Sequence, residues 1–351
     1  MQEWLKNKKF VAVLVILAAL LTVVFFGARF TASYYYKKGA EAYSQNNFVD
    51  AKSNFSISLI FGPKNPQTYF WLGRIALGIP TPKQIIYWPQ ADYKEMIKYH
   101  NKAISLGLEK KNRNLYRIAL DHLGNAYWNL NELDKAREKY SEKLSKFPDS
   151  SFWARYFIAW HDFNYLNKPD EALETLLPAI IMAESDNDRW NLFRFHALLA
   201  QLYIYKSDFA NAVKYAKLVI ENNDLTDKFL EVKIAHIILA LDYGRQKKFT
   251  LAESEIKKAS SSDCFLALAY NVGENYSKAI SIAEKTDITA QTFSSSVCLQ
   301  VLAGSYLLRG DKVKAKKYME EYLSFTEKLT EKSIFIMSNR QQFTGELLKI
   351  K

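Results

Sequence analysis

From Leu120 to Pro148 apolar and small residues recur with a helical period, lose it once, and recover it. Leu120, Leu123, Gly124 and Tyr127 share one face, Asn131-Glu132-Leu133 breaks the pattern, and Ala136, Tyr140 and Leu144 resume it. This predicts helix, tight turn, helix. Two antiparallel helices approach closely only where one lacks bulk. Gly124 and Ala136 are therefore the expected contact points, with Tyr127 and Tyr140 filling the space beside them. Pro148 ends the second helix.

The same hairpin can be traced through most of the chain. A first unit has Tyr35, Gly39 and Ala42, the turn Asn46-Asn47-Phe48, then Ala51, Phe55 and Leu59. A second runs from Phe70 and Gly73 to Met96, His100 and Ala103, and the third is the stretch above. Later units place Tyr156, Trp160 and Ala172, then Ala200, Tyr203 and Ala212, then Ala240, Tyr243 and Ala252. The last two place Phe265, Tyr270 and Ala279, then Ala303, Tyr306 and Ala315. Met96 stands where the other second helices have alanine, and Trp160 takes the slot of the small residue on its first helix.

The order L-G-x-x-Y, then A-x-x-x-Y, then P resembles the tetratricopeptide repeat, over Thr31 to about Lys332. That family repeats at about 34 residues; the second-helix positions here are spaced by 27 to 45. The resemblance implies an all-α fold, a right-handed solenoid of about eight antiparallel helix pairs. Residues 31–332 would form it, with an insertion at 78–90, and 333–351 would cap its apolar end.

Ahead of the repeats, Phe10 to Phe26 carries no charge, and the apolar run continues to Arg29. At about 1.5 Å per residue this approaches the ~30 Å of a hydrocarbon core. After a short segment, 1–9, a transmembrane helix is expected at 10–30. The rival is a cleaved secretory signal, which has a shorter apolar run and a small-residue cleavage site. Lys6, Lys8 and Lys9 precede the span and Arg29, Lys37 and Lys38 follow it. The α-amino group and the nearness of the first three favour a cytoplasmic N-terminus and an extracytoplasmic array.

The insertion Gly78 to Gln90 contains Pro80, Pro82 and Pro89 and is not helical throughout. Its apolar residues Ile85, Ile86, Tyr87 and Trp88 either fold back on the second repeat or form a lip touching lipid headgroups or a partner.

Composition narrows the class. The chain has 351 residues, 49% hydrophobic, with 22 Tyr and 22 Phe, too aromatic for disorder. Only 12 Gly and 8 Pro argue against a many-turned β architecture. The net charge of +11 is spread along the chain. Its densest runs, Lys110, Lys111, Arg113 and Arg117, and Lys312, Lys314, Lys316 and Lys317, read as solvated helix ends or outer faces, so nucleic acid is not an expected partner. Five histidines, His100, His122, His161, His196 and His236, lack metal-ligand spacing and read as packing residues. No phosphate loop or nucleophile elbow occurs, so neither a reaction nor a cofactor is expected. Cys264 and Cys298 fall on the first helices of consecutive repeats. They read as two buried small residues, or as a disulfide if their Cα atoms come within about 7 Å.

In solenoids of this family the first helices line a groove that chooses the ligand. Here that alignment points to Tyr36, Tyr43, Phe70, Arg74, Asp121, Asn125, Trp128, Phe157, His161, Tyr165, Gln201 and Tyr205. Aromatic anchors with scattered donors suit an extended peptide or a glycan; the alternative is that they only fill helix-to-helix space. The family's carboxylate clamp uses Lys and Asn, then Asn, then Lys and Arg. The matching positions carry Asp121 and Asn125, then Ile158, then Arg194 and Leu198, so a clamp is not expected. The expected function is a membrane-anchored scaffold for protein or peptide partners, in an envelope or secretion assembly, with lipid contact through the anchor. The alternative is a non-catalytic glycan-binding or accessory subunit of a glycan-processing enzyme.

Overall fold

A computed structural model describes residues 2–78, 91–150, 152–222, 230–289, 292–328 and 334–349. Ile85, Ile86, Tyr87 and Trp88 lie outside them. The described residues hold eighteen α-helices and no strand. They form two compact units, Met1–Pro148 and Asp149–Lys351.

The first unit contains three hairpins: α1 (Gln2–Ser44) with α2 (Phe48–Phe61), α3 (Pro66–Ala76) with α4 (Tyr93–Ser105), and α6 (Arg113–Asn129) with α7 (Leu133–Lys146). A single turn of helix, α5 (Leu108–Lys111), joins the last two. The second unit contains five. They are α8 (Phe152–Asn164) with α9 (Pro169–Ser185), α10 (Arg189–Tyr205) with α11 (Phe209–Glu221), α12 (Leu230–Arg245) with α13 (Phe249–Lys258), α14 (Asp263–Val272) with α15 (Tyr276–Ala283), and α16 (Phe293–Leu308) with α17 (Lys312–Glu327). A final helix, α18 (Ile334–Lys349), packs on α17, with Phe343 edge-on to Tyr322 at 5.1 Å.

A buried alanine closes seven of the eight hairpins as the sequence predicts, and Met96 takes its place in the second. Ala51, Met96, Ala136, Ala172, Ala212, Ala252, Ala279 and Ala315 are all fully buried. In the first unit a glycine on the first helix meets a ring on the second. A Cβ at Gly39, Gly73 or Gly124 would lie 2.8 Å from Phe55, 2.9 Å from His100 and 2.6 Å from Tyr140. In the second unit the trade is reversed: Ala200, Ala240 and Ala303 keep their methyl groups, and the facing Ala216, Ile256 and Met319 carry no ring. Where one side of the crossing lacks a methyl group the other carries a ring, as close packing favours.

The turns inside the hairpins share one recipe. Asn46, Asn131, Asn167, Ser207, Lys247, Glu274 and Gly310 take left-handed backbone, with φ between 55° and 83°. The next residue is the N-cap of the second helix, and after four of the seven turns its side chain supplies the cap. Asn47, Asp208, Asn275 and Asp311 accept the backbone N–H three residues on, satisfying a donor that the first turn leaves open.

The expected border between span and first repeat is not a break. Helix α1 runs unbroken from Gln2 to Ser44, because helix-permissive residues continue through it and no proline intervenes. Val11–Ser44 is long and apolar enough to cross a membrane, with its most apolar window wholly unburied; an N-terminal signal sequence would pass the same test.

Candidate functional site

In the first unit α1 and α3 gather partly buried aromatics around one cation. Trp71 packs on Tyr43 at 4.9 Å, and its indole N–H donates to the Tyr36 hydroxyl at 3.2 Å. The Arg74 guanidinium lies 5.5 Å from the Tyr43 ring and 5.6 Å from Trp71. Helical spacing makes this arrangement: Trp71 and Arg74 are one turn apart on α3, and Tyr36 and Tyr43 are two turns apart on α1. Partial burial pushes the Tyr43 phenol up, opposed by the Arg74 charge, so it stays a neutral donor and acceptor. Trp71, the centre of the cluster, is absent from the expected groove row. Its signal is the one-turn spacing from Arg74, which adjacent Phe70 shares.

Phe70 points the other way and is fully buried, stacking near His100 and His122. Those histidines, from α4 and α6, join through Nε2 of His100 and Nδ1 of His122 at 3.0 Å, one donating and one accepting. Asn125 is also interior: the Tyr140 hydroxyl donates to its Oδ1 at 2.6 Å. Trp128 is half-buried at the end of α6. Asp121 is held by Lys143, itself only 3% exposed, so this carboxylate serves the helix pair. Burial raises its pKa and the Lys143 ammonium opposes the shift.

In the second unit Phe157 and His161 are buried, contrary to the groove alignment. They form the floor beneath Trp160 and Tyr165: the Tyr165 ring lies 5.4 Å from both His161 and Trp160. Tyr165, 36% exposed, is the accessible member. Tyr205 is half-buried, packs on Phe163 at 5.5 Å and donates to Asn167 Oδ1 at 3.0 Å. The Gln201 side-chain amide donates to the carbonyl of Ala197 at 3.2 Å. Arg194 stacks between Trp153 and Trp190, with its carbon Cζ 5.9 and 5.4 Å from the ring centres. Among the described residues no group of three His, Cys, Asp or Glu side chains is placed to hold a metal ion.

Of the basic runs, Arg113 stacks on Phe147 at 5.2 Å and Lys314 on Tyr306 at 4.8 Å, so part of that charge is engaged within its own unit. Cys264 and Cys298 are bonded, with Cα atoms 4.7 Å apart, linking α14 to α16. The packed small residues and the left-handed turns recur hairpin after hairpin. The fold is that of the tetratricopeptide repeat.

No protein-family model matches the sequence, and no curated protein matches it. Solved structures do. The chain is similar to a tetratricopeptide repeat protein from Parabacteroides merdae ATCC 43184, at 12% identity over 90% of this chain and 99% of that one, with a TM-score of 0.47. It is similar to the MamA protein, at 19% identity over 57% of this chain and 96% of that one, TM-score 0.41. Yeast Tom70 matches at 15% identity over 91% of this chain and 55% of its own, TM-score 0.30. The hairpins themselves carry the likeness: buried alanines on the second helices and left-handed turns occur in both units.

Proposed function

We propose that this chain is a membrane-anchored scaffold that binds other proteins through the first helices of its repeats, within an envelope or secretion assembly. The anchor is taken as 10–30, the array as 31–332 and the cap as 333–351. The observation that carries the scaffold reading is the Tyr43, Trp71 and Arg74 cluster. It presents flat, partly buried rings at low entropy cost around a cation already oriented by their faces. Such a surface suits an extended peptide bearing an apolar or aromatic anchor beside a carboxylate. Tyr165 over Trp160 and His161 offers a comparable platform in the second unit.

The Cys264–Cys298 bond supports an extracytoplasmic array, since disulfides persist in oxidising compartments and are rare in the cytosol. The apolar helix supports the anchor, and tethering would raise the effective concentration of partners at the membrane. A photo-crosslinking amino acid at Tyr43, in the full chain in its native membrane, is expected to give a protein adduct of one size that Arg74→Glu abolishes without changing Tm. Adducts to lipid alone, or none, would sink the scaffold reading for this face. A reporter active only outside the cytoplasm, fused after Lys351, is expected to be active; a silent fusion with a working cytoplasmic reporter reverses the orientation.

A further inference from the structure

Helix α2 folds back along α1 toward the apolar span, and the place where it stops is set by two contacts. The Ser58 hydroxyl donates to the carbonyl of Ala32 at 2.8 Å, and a Cβ on Gly62 would lie 2.9 Å from the Ala32 methyl. The last turn of α2 thus sits level with Ala32. If the hydrocarbon core takes the twenty residues Phe10 to Arg29, about 30 Å of helix, Ala32 stands only ~4 to 5 Å beyond it. The headgroup layer on each side is about 5 to 7 Å deep. The end of α2 therefore reaches that layer without any bend or linker, because α1 is continuous.

What this end exposes matches such a layer. Ile60 is 74% exposed, Phe61 41%, and Phe30, two residues before Ala32 on α1, 76%. Arg29 and Lys64 flank them, and neither 29–36 nor 56–64 contains an acidic residue. Apolar side chains among cations and no anions would be costly against water alone, and fit the boundary between acyl chains and anionic headgroups.

We propose that the last turn of α2 and the following turn, with Phe30, form a foot resting in the headgroup layer of the membrane that α1 crosses. The partner of this surface is lipid. The inference rests on the anchor reading above, and its test separates the two. The full chain is placed in vesicles of phosphatidylcholine and phosphatidylglycerol, with a nitroxide on Val24→Cys, Ile60→Cys or Val49→Cys in turn. The native cysteines are bonded to each other and take no label. Depth is read from accessibility to oxygen against a water-soluble nickel chelate. The expected result is Val24 in hydrocarbon, Ile60 at headgroup depth with an oxygen-to-nickel ratio several-fold above Val49, and Val49, 81% exposed at the far end of α2, in water. A label at Ile60 matching Val49 while Val24 is in hydrocarbon overturns the foot and leaves the anchor standing. A label at Val24 in water overturns both.

Discussion

Gly124 lies against the ring of Tyr140 so closely that a methyl group on the glycine would stand 2.6 Å from the ring. The ring is fully buried and its hydroxyl is committed to Asn125, so it cannot swing aside cheaply. Gly124→Ala should therefore lower stability by about 1 to 3 kcal/mol despite alanine's better helix propensity. Gly304, inside α16 with nothing within 4 Å of its would-be Cβ, supplies the control. Gly304→Ala should raise stability by up to about 1 kcal/mol. Urea unfolding of both variants checks the pair, and equal effects would remove the packing argument.

The caps give a second prediction. Lys248 precedes α13 with φ −91° and ψ 62° and offers no side-chain acceptor, whereas Asp208 and Asp311 hold similar backbone angles and do. Lys248→Asp should stabilise the chain by about 0.5 to 1.5 kcal/mol, and Asp208→Ala should cost about as much. Thermal melts that move both variants in one direction would contradict the capping account.

Three histidines predict acid sensitivity. Burial pushes His100 down to about 3, with the Arg74 charge adding to it. Burial, then His100 and Arg74, hold His122 well below its ordinary value. Burial, then Lys214, bring His196 down to about 4. A depressed folded pKa means the unfolded chain binds protons first. The stability is whole above the unfolded value of about 6.5 and declines as pH falls from there toward 3 or 4, by up to about 1.4 kcal/mol per pH unit for each site. The urea midpoint should drop from pH 7.5 to pH 5, and His196→Leu should make that drop shallower. An unchanged slope in the variant would exclude His196.

The bond between Cys264 and Cys298 closes a loop with a sequence separation of 34. On chain-entropy grounds its loss should destabilise the second unit by about 4 kcal/mol. Both sulfurs are buried, so mild reductant should act only as the unit opens. The double variant Cys264→Ala, Cys298→Ala should unfold at clearly lower urea, and mass spectrometry of the unreduced wild-type chain should find no free thiol.

Close packing made the hairpins visible in the sequence. A site that must be small on one helix leaves its mark in residue type, which is why Ala51 through Ala315 could be placed one by one. Even the second hairpin, with Met96 for alanine and the 78–90 insertion, and the short seventh form as hairpins. Direction around the first helices was harder to read. Phe70 and Trp71 are adjacent aromatics, and the packing of α4 and α6 decides that Phe70 is fully buried while Trp71 is only partly so. Asn125 turns inward to the Tyr140 hydroxyl of its own hairpin, and Phe157 and His161 are buried as well, because more than one side of each first helix is packed. The His100 and His122 contact is between hairpins, and no spacing within one hairpin announces it.

The unbroken α1 carries a mechanical consequence. With the span seated as proposed, membrane thickness becomes an input to the first unit. A longer apolar stretch than the bilayer needs is relieved by tilt, and a helix without a joint hands that tilt to the Tyr43 and Trp71 face. A thick bilayer would stand this face upright over the lipid, and a thin one would lean it toward the surface, so the membrane itself steers what the face can meet.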